Sequence, residues 1–292
     1  MTLPRFIHYL RNNRRLASIM SNTKTIVVTG ANRGIGKAIC STLLAHPECP
    51  SLILYATSRK GEDLKLKTDK QHRVIYHQLD ISKQESIDQL VSAIKETDNP
   101  VDALINNGGT NLDQQFNHEN AKTTLDVNYR GTLAVCKAFL PLMRPNSGRI
   151  VNVSSTGSML DNYSPDMQRR FRNVKSLDEL EYLAQEYETA VKAGKDAAAG
   201  FPSGRAYGVS KACMNAFTKI LATENEGLAI NCCCPGWVDT DMGNQIGRPP
   251  KTPEDGAKIP VRLAVGNIDG VSGKYWGNDS VRSREDGKVQ PW

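Results

Sequence analysis

No stretch of this 292-residue chain is apolar for long enough to cross a bilayer; Ser51–Thr57 and Ile150–Val153 are strand-sized runs. Cys-x-x-Cys is absent, and the seven cysteines form no metal-like pairing with the five histidines, so no metal site is expected. A secretory signal is also missing, which implies reduced thiols inside the cell. Gly-x-Ser-x-Gly does not occur, which removes the usual serine hydrolase elbow. There is no internal repeat, low-complexity tract or linker to split the chain. Acidic residues are lacking from the first twenty positions, where Arg5, Arg11, Arg14 and Arg15 supply four of the six net positive charges. The remaining body is nearly balanced, which argues against a nucleic-acid partner.

What is present reads as a soluble globular protein, with 39% hydrophobic and 23% charged residues. Residues 1–22 read as a basic extension, since Met20-Ser21-Asn22 leads directly into the first strand. Phe6, Ile7 and Leu10 among the arginines also suit a mitochondrial transit peptide. A cytoplasmic protein is expected, or a matrix protein if residues 1–20 direct import.

From residue 23 onward, strands and helices alternate. Strands are expected at Thr25–Thr29, Leu52–Thr57, Arg73–Leu79, Val101–Ile105, Arg149–Val153 and Leu228–Cys234. Helices are expected at Ile35–Leu44, Lys83–Lys95, Asn120–Met143 and Arg205–Thr223. That alternation predicts an α/β fold: a single doubly wound parallel sheet, helices on both faces, in one domain over 23–292. In Cys232-Cys233-Cys234 the side chains would alternate between sheet faces as small buried hydrophobes. The rhythm breaks between Ser155 and Tyr207, too long a gap for a structureless loop. Ser176-Leu177-Asp178-Glu179 reads as a capping box, and Leu180, Leu183, Tyr187, Ala190 and Val191 follow at helical spacing. A helical insertion over about 160–202 is expected there.

Gly30, Gly34 and Gly36, in Thr29-Gly30-Ala31-Asn32-Arg33-Gly34-Ile35-Gly36, follow a strand and open a helix. Small residues there let the backbone approach a pyrophosphate at a helix N-terminus. The next strand ends Ala56-Thr57-Ser58-Arg59-Lys60, with no acid before Glu62 to hold a free ribose 2′-hydroxyl. Arg33 and Arg59 would instead grip a 2′-phosphate, so the expected cofactor is NADP(H).

Of nine tyrosines only Tyr207 is followed four residues later by a lysine, Lys211, on the same helical face. Ser154-Ser155 and Asn106-Asn107-Gly108-Gly109 each end a strand, where open α/β sheets bind ligands. These elements, in this order, resemble the short-chain dehydrogenase/reductase family over Thr25–Trp292, with a Rossmann-like fold. The resemblance implies that Tyr207 is a general acid, Lys211 lowers its pKa and holds the nicotinamide ribose, and Ser155 hydrogen-bonds the substrate carbonyl. It assigns Asn128 to a water in the proton relay. The remaining cofactor contacts implied are Asn32, Ile35, Asp80, Ile81, Asn107, Val238 and Thr240, the last two in a clasp on the nicotinamide amide. Gly108 departs from the alanine usual in the family, without loss of a catalytic group.

Within the family the likeness is to monomeric NADPH-dependent carbonyl reductases, carried by the long insertion, by Cys233-Cys234-Pro235-Gly236-Trp237-Val238 with Thr240-Asp241-Met242, and by an aromatic end at Trp292. Trp237 and Met242 are expected beside Ser155 in the substrate pocket. The implied activity is reduction of aldehydes, ketones or quinones. Plant terpenoid and alkaloid ketone reductases share the insertion, so a dedicated secondary-metabolite ketone reductase is the alternative. A non-catalytic NADP sensor on the same fold would be expected to lack Ser155, Tyr207 or Lys211. With the insertion folded over the usual subunit interface, a monomer acting on a small-molecule carbonyl is expected.

Overall fold

The structure is a computed structural model that describes residues 23–292. The basic tail and the question of its function lie outside the described residues. Strands β1 (Lys24–Val28), β2 (Leu52–Ser58), β3 (His72–Gln78), β4 (Ala103–Asn106), β5 (Arg149–Val153), β6 (Ala229–Cys233), β7 (Tyr275–Gly277) and β8 (Lys288–Gln290) form one sheet in the order 3-2-1-4-5-6-7-8. Every pair is parallel except β7–β8, an antiparallel edge. The order reverses between β1 and β4, which leaves a crevice at their carboxyl ends where ligands bind in such sheets.

Alternation along the strands feeds two cores. Ile26 and Val28 of β1 face helices α1 (Gly34–Leu44) and α8 (Pro253–Val265), joining Ile39, Leu43, Ile259 and Leu263. Val27 points the other way, toward α2 (Gln84–Lys95), α3 (His118–Leu125), α4 (Thr132–Phe139) and α7 (Ala206–Glu224). The cysteine triplet divides as the pleat requires: Cys232 and Cys234 lie on one side and Cys233 on the other, all buried.

The long helix expected over Asn120–Met143 is broken. Between α3 and α4 the chain takes a π turn at Asp126–Gly131, and it ends in a 3-10 turn at Leu140–Leu142. Such one-residue widenings recur at functional sites; this one carries Asn128.

The insertion contains two helices, α5 (Pro165–Asn173) and α6 (Leu177–Lys192). Leu180, Leu183, Tyr187, Ala190 and Val191 are all buried, as their spacing requires. The expected capping box forms only in half. Ser176 Oγ accepts from the Glu179 N–H at 3.1 Å, but the Glu179 carboxylate accepts from Lys175 N–H, one residue outside the box. The acidic face of α6 is engaged in ion pairs: Glu181 and Glu188 both hold Arg130, with Asp126, and Glu186 holds Arg170.

The buried thiols make the fold sensitive to alkali. Burial pushes Cys40, Cys136 and Cys232 up to about 12 and Cys49 up to about 11, with Cys213 and Cys233 higher still, against 9.0 for a free thiol. Above pH 9 the unfolded chain releases these protons while the folded one keeps them. Stability is therefore full below pH 9 and falls as pH rises, by up to about 1.4 kcal/mol per pH unit for each thiol. Buried Lys211 and Lys251, both held below the usual lysine range, oppose this, but they are two groups against six. Urea unfolding under reductant should show a loss of several kcal/mol between about pH 8 and pH 10. Equal midpoints at the two pH values would contradict the assignment.

Candidate active site

Helix α1 starts at the crevice with no side-chain cap and no acidic residue in its first turn, which leaves its backbone N–H groups free for an anion. The glycine loop before it is close-packed. A Cβ on Gly36 would lie 2.1 Å from the Gly30 carbonyl oxygen, and Gly30 itself takes φ +63°. Asn107, after β4, pins this loop by donating from Nδ2 to the Thr29 and Gly30 carbonyls at 3.2 and 3.0 Å. Thr29 Oγ1 in turn accepts from the N–H groups of Asn107 and Gly108. These are contacts a dinucleotide loop needs, and they fit a pyrophosphate better than a side chain.

Arg33 and Arg59 are both exposed on this edge of the sheet. Arg33 is paired with Asp241, and Asp80, whose carboxylate accepts from the Ser82 N–H and hydroxyl, feels the charge of Arg59. Asn32 reaches toward Glu62. Ile81 lies behind Gly108, and Ile35 packs beside Val238 where α1 meets α8. The expected cofactor residues are thus gathered along one groove.

Across that groove, the segment after β6 returns as a strap. Val238 is buried and bridges Lys251. Thr240 Oγ1 accepts from the Gly243 N–H at 3.0 Å, and its methyl would stand 2.8 Å from a Cβ on Gly34. The strap therefore rests directly on the glycine loop. Sequence reasoning missed its brace: Lys251 is only 1% exposed, and its Nζ donates to the Pro235 carbonyl at 2.8 Å.

Tyr207 sits in the first turn of α7, half-buried, with Ser155 as its hydroxyl partner. Ser155 follows β5 and caps the short turn Thr156–Ser158, its Oγ accepting from the Gly157 N–H at 3.0 Å. Lys211 is buried; its Nζ donates to the Val153 carbonyl at 2.7 Å and lies 5.7 Å from the centre of the Tyr207 ring. Burial holds this lysine down to about 8.

Burial pushes the phenol of Tyr207 up to about 12, and the Ser155 hydrogen bond offsets part of that. Lys211 faces the ring and the Val153 carbonyl. A raised phenol stays protonated at neutral pH, the state a proton donor needs.

Asn128 is bonded through both atoms of its side-chain amide. Its Nδ2 donates to the Thr110 carbonyl and Ser210 Oγ, and its Oδ1 accepts from the Thr110 N–H, all within 3.0 Å. The side chain ties the loop after Asn107 to the Tyr-bearing helix. Asp113, on that same loop, was not anticipated. Its carboxylate accepts from the Tyr207 N–H at 3.1 and 3.3 Å, capping α7 from outside. Its neighbour Gln114 reaches the Gln245 carbonyl beyond the strap.

A cavity of about 260 Å³ opens beside Ser155, lined by Thr156, Met159, Cys234, Gly236, Tyr275 and Val281. Trp237 and Met242 do not line it. The Trp237 Nε1–H is donated to the Gly243 carbonyl and Arg282 stacks on the indole at 5.8 Å, so this residue stiffens the strap. Trp292 donates to the Ser158 carbonyl at 2.9 Å, which fastens it to the segment after Ser155. Tyr275 and Val281 carry no sequence signal, because they arrive through the short edge strands and their loop. Among the described residues no cluster of His, Cys, Asp or Glu could hold a metal, and no helix is long and apolar enough to cross a membrane.

The profile for short chain dehydrogenases matches residues 24–164, and that for enoyl-(acyl carrier protein) reductases matches 175–272. Carbonyl reductase [NADPH] 1 of Mus musculus is 34% identical over 290 residues, covering 94% of this chain and all of that protein. Salutaridine reductase from Papaver somniferum superposes with a TM-score of 0.74 at 27% identity, covering 88% of this chain and 99% of that one. Menthone neomenthol reductase from Mentha piperita gives 0.72 at 28% identity, covering 87% and 98%.

Proposed function

Because this chain belongs to the short-chain dehydrogenase/reductase family, we propose that it is an NADPH-dependent carbonyl reductase with Tyr207 as proton donor. The carrying observation is that a protonated Tyr207, its partner Ser155 and buried Lys211 meet at the carboxyl end of β5, on the same side of the sheet where the uncapped glycine-loop helix begins. When bound, NADPH supplies the hydride. Gly30, Gly34 and Gly36 with the start of α1 would hold its pyrophosphate, Arg33 and Arg59 its 2′-phosphate, and Val238–Thr240 its nicotinamide end.

The protein's own share of the chemistry is local. Ser155 donates to the substrate carbonyl oxygen and orients it toward the phenol. Tyr207 gives up its proton as negative charge gathers on that oxygen, which forms the alcohol. A buried ammonium on Lys211 favours the resulting phenolate, since an opposite charge counts most where water is excluded. Asp113 and Asn128 hold α7 and its facing loop so that these groups keep register.

Aldehydes, ketones and quinones are the proposed substrates, in line with the carbonyl reductase relatives. The likeness to reductases named for salutaridine and menthone supports a second reading, a dedicated ketone reductase of secondary metabolism. Following nicotinamide absorbance with a panel of all three carbonyl classes separates the two: broad turnover supports the first, and a single ketone scaffold the second. No turnover with any class would sink both. A monomer in a reducing cytoplasm is proposed, since all seven cysteines are buried free thiols.

Cofactor choice has its own test. Arg59→Asp places repulsion at the 2′-phosphate and an acceptor at a free hydroxyl, so preference should move from NADPH toward NADH, by about tenfold or more in the kcat/KM ratio. Arg33 should soften the change without cancelling it. Equal use of NADH and NADPH by the unaltered protein would show the charge reasoning to be wrong.

A further inference from the structure

The basic end of the groove is already met by carboxylates of the chain itself. Arg33 Nη1 donates to Asp241 Oδ2, and the Ser58 hydroxyl at the end of β2 donates to Glu62 Oε2. Ser58 Oγ also accepts from the Gly61 N–H at 3.0 Å, and Gly61 holds φ +65° with its Cα face against the Gln78 backbone, so the turn that brings Glu62 back is fixed. Asn32, between the two, points at the same Glu62 carboxylate. The two acids come from different places. Glu62 lies just beyond β2, whereas Asp241 belongs to the strap that rests on Gly34 through Thr240.

We propose that Asp241 and Glu62 set how strongly this chain takes a 2′-phosphorylated dinucleotide, because they stand where that phosphate would bind and it must displace them. This rests on reading the groove as a dinucleotide site. The Arg33–Asp241 side chains are 70% and 74% exposed, so their pairing adds little to stability and yields readily to a better partner. A phosphate carries roughly −1.5 to −2 charges and offers paired acceptors to a guanidinium, where Asp241 offers one charge. In binding Arg33 the phosphate releases Asp241, and with it the polar tie between strap and glycine loop. A dinucleotide without the phosphate leaves that tie in place. The two acids thus act against the phosphorylated form and not against the rest of the molecule, and they moderate a preference that Arg33 and Arg59 create.

The probe is adenosine 2′,5′-bisphosphate, with ADP as the control that lacks the 2′-phosphate, titrated calorimetrically into the full chain. Asp241→Asn and Glu62→Gln, confirmed as folded by thermal melting, should each bind the bisphosphate about fivefold tighter than the unaltered protein, the scale of one exposed charge contact. Their affinity for ADP should not change. Variants that bind the bisphosphate no more tightly, or that gain equally for ADP, overturn the proposal while leaving the NADPH reading intact. A chain that binds neither the bisphosphate nor NADPH in any form overturns both.

Discussion

Tyr207→Phe should bind NADPH as the unaltered protein does and lose about 10²- to 10⁴-fold in turnover, the range one general acid contributes. The ring that packs in the site is kept, and only the hydroxyl that pairs with Ser155 is removed. The structure adds a reason for the size of the effect. Burial holds the phenol near 12, so it is fully loaded at neutral pH, yet its product, a buried phenolate, needs a positive partner. Lys211 is that partner, buried and facing the ring. With Phe in place the oxyanion would have only Ser155 and water to draw on. Fluorescence titration gives the NADPH affinity and the nicotinamide band gives the rate; near-normal turnover with normal binding would sink Tyr207 as the donor.

Deletion of residues 166–198 should turn the proposed monomer into associated or aggregated protein. Helix α6 lies on α3 and α7, and its Leu180, Leu183, Tyr187 and Val191 join the main core. Removing them opens a contiguous apolar face of the kind a second copy or a misfolded chain would cover. It also strips Glu181 and Glu188 from Arg130, leaving a half-buried guanidinium with Asp126 alone. Loss of a partner to a partly desolvated charge is costly. Light scattering on both proteins decides the matter. A stable dimer from the intact chain, or a compact smaller monomer after deletion, would contradict the role given to the insertion.

The sheet core and the chemistry were legible because both obey short periods. Strand alternation separates Val27 from Ile26 and Val28, and the i,i+4 spacing of Tyr207 and Lys211 holds on α7. The glycine loop, Ser155 and Arg59 could be read from their positions at strand ends. What escaped has physical reasons. The π turn at 126–131 adds a residue to one helical turn, which leaves composition unchanged while re-aiming Asn128. β7 and β8 are three residues each, too short for any period to show. Asp113, Lys251 and Glu62 act through partners distant in sequence or through a tight turn, and an isolated polar residue carries no sign of that. Trp237 could be read as flanking the strap, but not that its indole N–H would be donated to the Gly243 carbonyl.

The central claim is hydride transfer to a carbonyl carbon with proton delivery to its oxygen. The most direct measurement uses NADPH deuterated at the transferring nicotinamide C4 position, a carbonyl compound from the panel, and mass spectrometry of the product. The account predicts an alcohol carrying one deuterium on the carbinol carbon, formed by the unaltered protein and lost with Tyr207→Phe. Consumption of NADPH without a deuterated alcohol would contradict it.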